Sequence, residues 1–220
     1  MEVVVDINME LVSTVTAMKT TRKYTMGARA QAVEETRQRI VAALVTLAGE
    51  RPFAEISLDD IATGAGVSVQ TVLRRFGSKD RLFADALESA IADVADERRT
   101  PPGDVGAAVR TVVDHYEQRG QASLLLLAQE AHDDVARRVT DLGKAMHRTW
   151  VRDAFAPATD DEAVLDLLVV ATDVYAWKLL RLDRGHSRAV TERRLHALVA
   201  AVLAARAHPV SCDNSDTKEH

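Results

Sequence analysis

Between residues 57 and 79 the sequence sets out Ser57, Ser68, Val69, Gln70, Thr71, Arg74, Arg75 and Lys79. These are hydroxyls, one amide, one small apolar group and cations. Such groups suit recognition of a phosphate backbone and of base edges better than covalent chemistry. Glutamine pairs bidentately with adenine, a valine methyl can touch a thymine methyl, and arginine reaches a guanine edge or a phosphate. Serine and threonine hydroxyls donate to phosphates. Lys79 opens a helix, whose free N–H groups and positive dipole end also favour an anion.

Those side chains act together only if two short helices hold them. Ser57-Leu58-Asp59-Asp60 has the form of an N-cap with an acid at N3, opening a first helix through Ile61 and Ala62 that Gly64 and Gly66 end. Ser68 caps a second helix, Val69 to Phe76, and Gly77-Ser78 breaks before a long helix from Lys79 to about Glu97. Leu58, Ile61 and Ala62 supply an apolar face, Gly66 permits a tight turn, and Val67, Val72 and Phe76 pin the second helix. Two such helices around Gly66 form a helix-turn-helix at residues 57–76, with Val69 and Gln70 on the turn that enters a major groove.

With an amphipathic helix before it (Ile40, Ala43, Leu44, Leu47, Ala48), this segment resembles a known family. Residues 37–83 look like the DNA-binding domain of TetR/AcrR-type regulators. The matching marks are Ile40/Ala43/Leu47, Ser57–Ile61–Ala62, Ala65-Gly66-Val67-Ser68, Thr71-Val72 and Phe76-x-Ser78-Lys79-x-x-Leu82. The resemblance implies an all-α protein: an N-terminal three-helix helix-turn-helix domain plus a larger helical ligand-binding and dimerisation domain. It also implies a ligand-responsive transcriptional regulator, expected to be a repressor released from a palindromic double-stranded DNA operator by a small apolar or aromatic effector. The alternative is an architectural or partner-binding protein of the same fold without an effector. The family usually carries aromatics where Leu73 and Arg75 stand, so a phosphate contact is expected to pass to Arg74 or Arg75.

The expected division is a disordered leader with a basic arm at 1–31 (Lys19, Arg22, Lys23, Arg29), the helix-turn-helix domain at 32–80, the effector and dimer domain at 81–207 and a disordered tail at 208–220. Helical periodicity sets in near Ala32. In the second half, helices are expected near 104–118, 121–130, 133–155, 160–183 and 191–207, separated in part by Gly120, Pro157 and Gly185. Residues 163–182 are apolar nearly all round. With Leu195, Leu198, Val199, Val202 and Leu203 they are expected either to meet a second copy in a four-helix homodimer interface or to be buried within one subunit.

The scarce aromatics, 4% of the chain, suggest either an effector pocket or ordinary core. Tyr116, Met146, His147, Trp150, Asp173 and Trp177 are the candidates. Asp173 is the odd member, a carboxylate in a very apolar stretch. It is equally a pocket acceptor, an ion-pair partner across a dimer, or an exposed residue.

The remaining patterns exclude more than they assign. No HExxH, GxSxG, GxGxxG or P-loop is present, so no enzyme is expected. Glu130, His132, Asp133 and Asp134 are better explained as a helix start than as a metal site, and no metal or cofactor is expected. One cysteine, Cys212, excludes an intrachain disulfide and suggests a reducing cytoplasmic setting. No apolar run is long enough for a membrane span, and none is expected. Net charge is −5 overall, yet residues 1–83 sum to +1 and residues 84–220 to −6. An anionic partner is therefore expected at the first half.

Overall fold

A computed structural model describes the backbone of residues 8–205 and the side chains of residues 28–205. Among these residues every regular element is helical: α1 Asn8–Glu50, α2 Leu58–Ala65, α3 Val69–Phe76, α4 Lys79–Glu97, α5 Val105–Gln129, α6 Asp134–Phe155, α7 Glu162–Ala171, α8 Val174–Lys178 and α9 Arg188–Ala205. A 3₁₀ turn, Phe53–Glu55, follows α1, and a π-helical turn, Leu179–Asp183, follows α8. The chain forms two compact units. One comprises residues up to Val45 together with Ser57–Ala86; the other comprises Thr46–Ile56 and the chain from Leu87 onward. No described helix is long and apolar enough to cross a membrane.

In the first unit, α1 begins at Asn8 rather than near Ala32. No proline interrupts this stretch, and a helix tolerates the single Gly27 at about 1 kcal/mol. The side chains of Lys19, Arg22 and Lys23 and the tail 208–220 lie outside the described residues. Ile40, Val41, Leu44, Ile61, Ala62, Ala65, Val72, Phe76, Leu82 and Ala86 are buried here, and α2 packs against α3. Gly64 does not end α2. It lies inside the helix, where an added Cβ would sit 3.2 Å from Ala43 Cβ, so its lack of a side chain lets α1 and α2 approach. The true stop is Gly66, left-handed at φ 64°, whose N–H bonds back to the Ala62 and Thr63 carbonyls.

In the second unit α5 is the central element, packing against α6, α8 and α9. The expected break at Gly120 is absent. Gly120 is buried in α5, and an added Cβ would lie 2.6 Å from the Trp177 ring. The glycine is there to admit an indole, not to end a helix. The stretch expected as one helix over 160–183 is broken at Thr172-Asp173. Thr172 Oγ1 donates to the Leu168 carbonyl (2.7 Å), and Asp173 accepts from the Tyr175 N–H (2.8 Å) as the N-cap of α8. These local bonds compete with continuation of the helix.

The core gathers Val109, Val112, Val113, Tyr116, Val151, Phe155, Leu165, Leu168, Trp177, Leu195 and Val199. Leu195 and Val199 therefore belong to the subunit's own core. Leu167, Val170 and Leu198 are exposed.

Candidate functional site

Two regions carry the groups singled out by sequence, one in each unit.

In the first, the Ser57 hydroxyl donates to Asp60 Oδ2 (2.6 Å) and accepts from the Asp60 N–H (3.1 Å), while Asp60 Oδ2 accepts from the Ser57 N–H (2.9 Å). This reciprocal box fixes the start of α2. Both donors of Ser57 are thus engaged within the protein. Ser68 Oγ accepts from the Thr71 N–H (3.2 Å) and lies 3.0 Å from Thr71 Oγ1, fixing the start of α3. Along α3, Val72 and Phe76 turn inward, whereas Gln70, Leu73, Arg74 and Arg75 are exposed and Val69 and Thr71 half-buried. Arg74 and Arg75 occupy the last turn of α3, where cations are favoured by the helix dipole. Lys79 Nζ lies 5.5 Å from the centre of the Phe83 ring, and Ser78 Oγ accepts from the Arg81 N–H (3.2 Å) at the start of α4. Arg37 of α1 donates to Asp85 of α4 (3.0 Å). Gln70, Arg74 and Arg75 therefore project from a helix fixed at both ends.

In the second region, the expected effector residues do not contribute equally. Tyr116, His147 and Trp150 gather around a residue that the sequence did not single out, Arg98. Arg98 follows α4 directly and is 6% exposed. Its Nη2 donates to His147 Nδ1 (2.7 Å), its guanidinium carbon lies 4.3 Å from the centre of the Trp150 ring, and its carbonyl accepts from Trp150 Nε1 (2.7 Å). Because Nδ1 accepts, the His147 proton resides on Nε2, which faces Thr172 Oγ1 (3.2 Å) and the Val169 carbonyl (3.3 Å). Tyr116 donates to the Thr172 carbonyl (3.2 Å).

Burial, reinforced by the Arg98 charge, lowers His147 to about 3 and His115 to about 4, so both imidazoles are neutral near pH 7. Burial also lowers Arg98 and raises Tyr116. Trp177 is instead core: its ring lies 6.0 Å from Tyr116 and its Nε1 donates to Glu117 (3.0 Å). Met146 is half-buried on α6. The acids weighed as metal ligands have other work, since Asp133 caps α6 and Glu130 accepts from Lys144 (2.6 Å).

Sequence reasoning missed Arg98, His115 and Thr172. Arg98-Arg99-Thr100 ahead of Pro101-Pro102 has the look of a solvated linker. No signal in the sequence distinguishes Arg98 from its exposed neighbour Arg99.

Comparison with known proteins agrees with this arrangement. The profile of "Bacterial regulatory proteins, tetR family" matches residues 40–86. The HTH-type transcriptional repressor KstR of Rhodococcus jostii (strain RHA1) is 28% identical over 183 residues, covering 78% of this chain and 84% of the relative. A tetR-family transcriptional regulator from Streptomyces coelicolor superposes with a TM-score of 0.62 at 28% identity, over 79% of this chain and 82% of that one. A transcriptional regulator from Rhodococcus sp. Rha1 shares the fold, with a TM-score of 0.60 at 20% identity over 77% and 96% of the two chains. The capped helix pair and the outward face of α3 thus fall within the segment that matches the tetR family of bacterial regulatory proteins, and the chain as a whole is similar to DNA-binding regulators of that family.

Proposed function

We propose that this chain is a homodimeric repressor that a small apolar or aromatic molecule releases from a palindromic operator. The single observation carrying the DNA half is the outward face of α3: Gln70, Arg74 and Arg75 exposed on a helix that Ser68 starts and Val72 and Phe76 anchor. Gln70 and Val69 are assigned to base edges, Arg74 to a guanine edge or phosphate, and Ser68, Thr71, Arg75 and Lys79 to the backbone. Both donors of Ser57 are held by Asp60, so Ser57 acts chiefly by setting α2. The repressor sense follows the relative KstR, described as a transcriptional repressor.

Dimerisation is supported by Leu167, Val170 and Leu198, large apolar side chains left exposed on α7 and α9, which pack together. The effector acts only through a difference in affinity between the DNA-binding and released states. Tyr116, His147 and Trp150 are assigned as its binding residues, together with Met146 beside His147 in sequence and Asp173, whose charge acts on Arg98; Trp177 supports them from the core. Selection from random duplexes tests the reading. An inverted repeat with half-sites about 34–36 Å apart is expected. Recovery of no sequence above non-specific DNA would remove it.

A further inference from the structure

Arg98 is a buried cation with no close ion-pair partner among the described residues, and the charge of Asp173 acts on it only from a distance. Among the described residues no carboxylate lies within 4.0 Å of it, and its Nε, fully buried, has no hydrogen-bond partner. Glu97, its chain neighbour, and Asp173, whose charge acts on it, are both engaged by other groups. Glu97 accepts from Arg119 Nε (2.8 Å) and from its Nη2, and Asp173 accepts from the Tyr175 N–H.

The neutral imidazole of His147 takes one guanidinium N–H and offers no negative charge. His115, also neutral, has Nδ1 3.5 Å from Glu97 Oε2, too long for a good bond, and that nitrogen is otherwise unpartnered. A buried guanidinium left in this condition is destabilising, because desolvation is not offset by a contacting charge. Around it stand the rings of Trp150 and His147, stacked at 5.8 Å, and the Tyr116 phenol acts on its charge from a distance. Half-buried Leu124 and Leu127 pack against the same core.

We infer that Arg98 anchors the carboxylate of the effector, which is an organic acid with an aromatic or apolar body. This rests on the reading that the second unit binds an effector, and it adds the ligand's charge. A neutral molecule leaves the guanidinium without a contacting anion and a cation worsens its desolvation. A carboxylate matches its planar donors and gains from the low-dielectric surroundings. The rings of Trp150 and Tyr116 then face the body of the acid.

The experiment uses the full chain and three probe pairs: 2-naphthoate, 4-phenylbutyrate and decanoate, each against its primary amide. Thermal shift and calorimetry read binding, and band shift on a selected operator reads DNA release. The acids are expected to raise Tm and bind at least tenfold tighter than their amides. Arg98→Met is expected to raise the ligand-free Tm, because it removes a buried charge that no anion contacts, and to abolish the preference for acids. Arg98→Lys keeps the charge without the fork, and is expected to retain a reduced preference.

Equal binding of acids and amides, no acid binding at 10 mM on the order of the weakest useful affinity, or a preference surviving in Arg98→Met would each overturn the proposal. So would a ligand-free Arg98→Met that loses stability while still preferring acids, which assigns Arg98 a purely structural role. Failure of the chain to bind any operator defeats the repressor reading but leaves the acid-binding result intact. Release by amides with no response to acids defeats this inference and leaves the repressor reading standing.

Discussion

Gln70 and Arg74 stand four residues apart on α3, hence on one face, and both are exposed. Gln70→Ala is expected to cost about 1–3 kcal/mol at the selected operator and to relax preference at one base pair, because a bidentate base contact is lost. Arg75→Ala should weaken binding to all duplexes alike and lower the salt slope by about 1, since a phosphate contact carries no sequence information. Competition binding at several salt concentrations separates the two; an unchanged slope in Arg75→Ala would leave the phosphate contact to other groups. The buried imidazoles give a second expectation. His115 and His147 lie well below their unfolded value of about 6.5, so the unfolded chain binds more protons as pH falls below it. Their contribution is full above about pH 6.5 and declines towards pH 3–4. Each should cost on the order of 2 kcal/mol between pH 6.5 and pH 5. Arg98, Glu97 and Arg119 flank them and stay charged over most of that window. Denaturant melts should show the loss, and His147→Asn should halve it; a flat profile from pH 7 to 5 would contradict it. The α3 residues were legible in the sequence because their chemical types fall on one side of a short capped helix. Arg98 was not, since nothing in Arg98-Arg99-Thr100 says which arginine the packing will bury.

At the level of elements, the starts of α2 and α3 were readable, whereas the continuity of α5 through Gly120 and the break at Thr172-Asp173 were not. Ser57 and Ser68 announce α2 and α3 because their hydroxyls have only the local N–H groups to satisfy, and both bonds are present. Gly120 misleads because a glycine has two opposite uses, as a helix stop and as space for a neighbour. Only the position of Trp177, 57 residues away in sequence, decides between them. Thr172-Asp173 misleads in the other direction, hiding a cap inside an apolar run. Gly120 and Gly143, in the second unit's long helices, give a paired test. In Gly120→Ala the new Cβ would meet Trp177 at 2.6 Å, and overpacking of about 1–3 kcal/mol should outweigh the helix-propensity gain of about 1 kcal/mol. Gly143→Ala, on α6 with nothing within 4 Å of the new Cβ, should show the propensity gain alone and raise Tm. Thermal melts of the two variants should therefore move in opposite directions, and movement in the same direction would deny the role given to Trp177.

At the scale of the whole molecule, the sequence marks residues 163–182 as apolar nearly all round and Leu195, Leu198, Val199, Val202 and Leu203 as apolar positions of the last helix, but it does not say which side chains are left over. The fold divides them. On α7, Val164, Leu165, Leu168 and Ala171 go to the core while Leu167 and Val170 stay 53% and 66% exposed; on α9, Leu195 and Val199 go in while Leu198 stays 44% exposed. On the proposed homodimer reading those remaining side chains form the surface for a second copy, and a two-fold interface would use each of them twice. Val170→Asp introduces a charge on each side of the interface, and burial of an unpaired carboxylate there should cost several kcal/mol per dimer. Because Val170 is exposed in the single chain, the variant should keep its helical circular dichroism. Light scattering should find the parent at twice 24.0 kDa and Val170→Asp at 24.0 kDa. Operator affinity should fall by about 10²-fold or more, because two half-sites are no longer held by linked reading heads, while binding to non-specific DNA changes little. A variant that stays dimeric would move the interface away from α7, and a monomer that still binds the full operator as tightly as the parent would break the link between dimerisation and recognition.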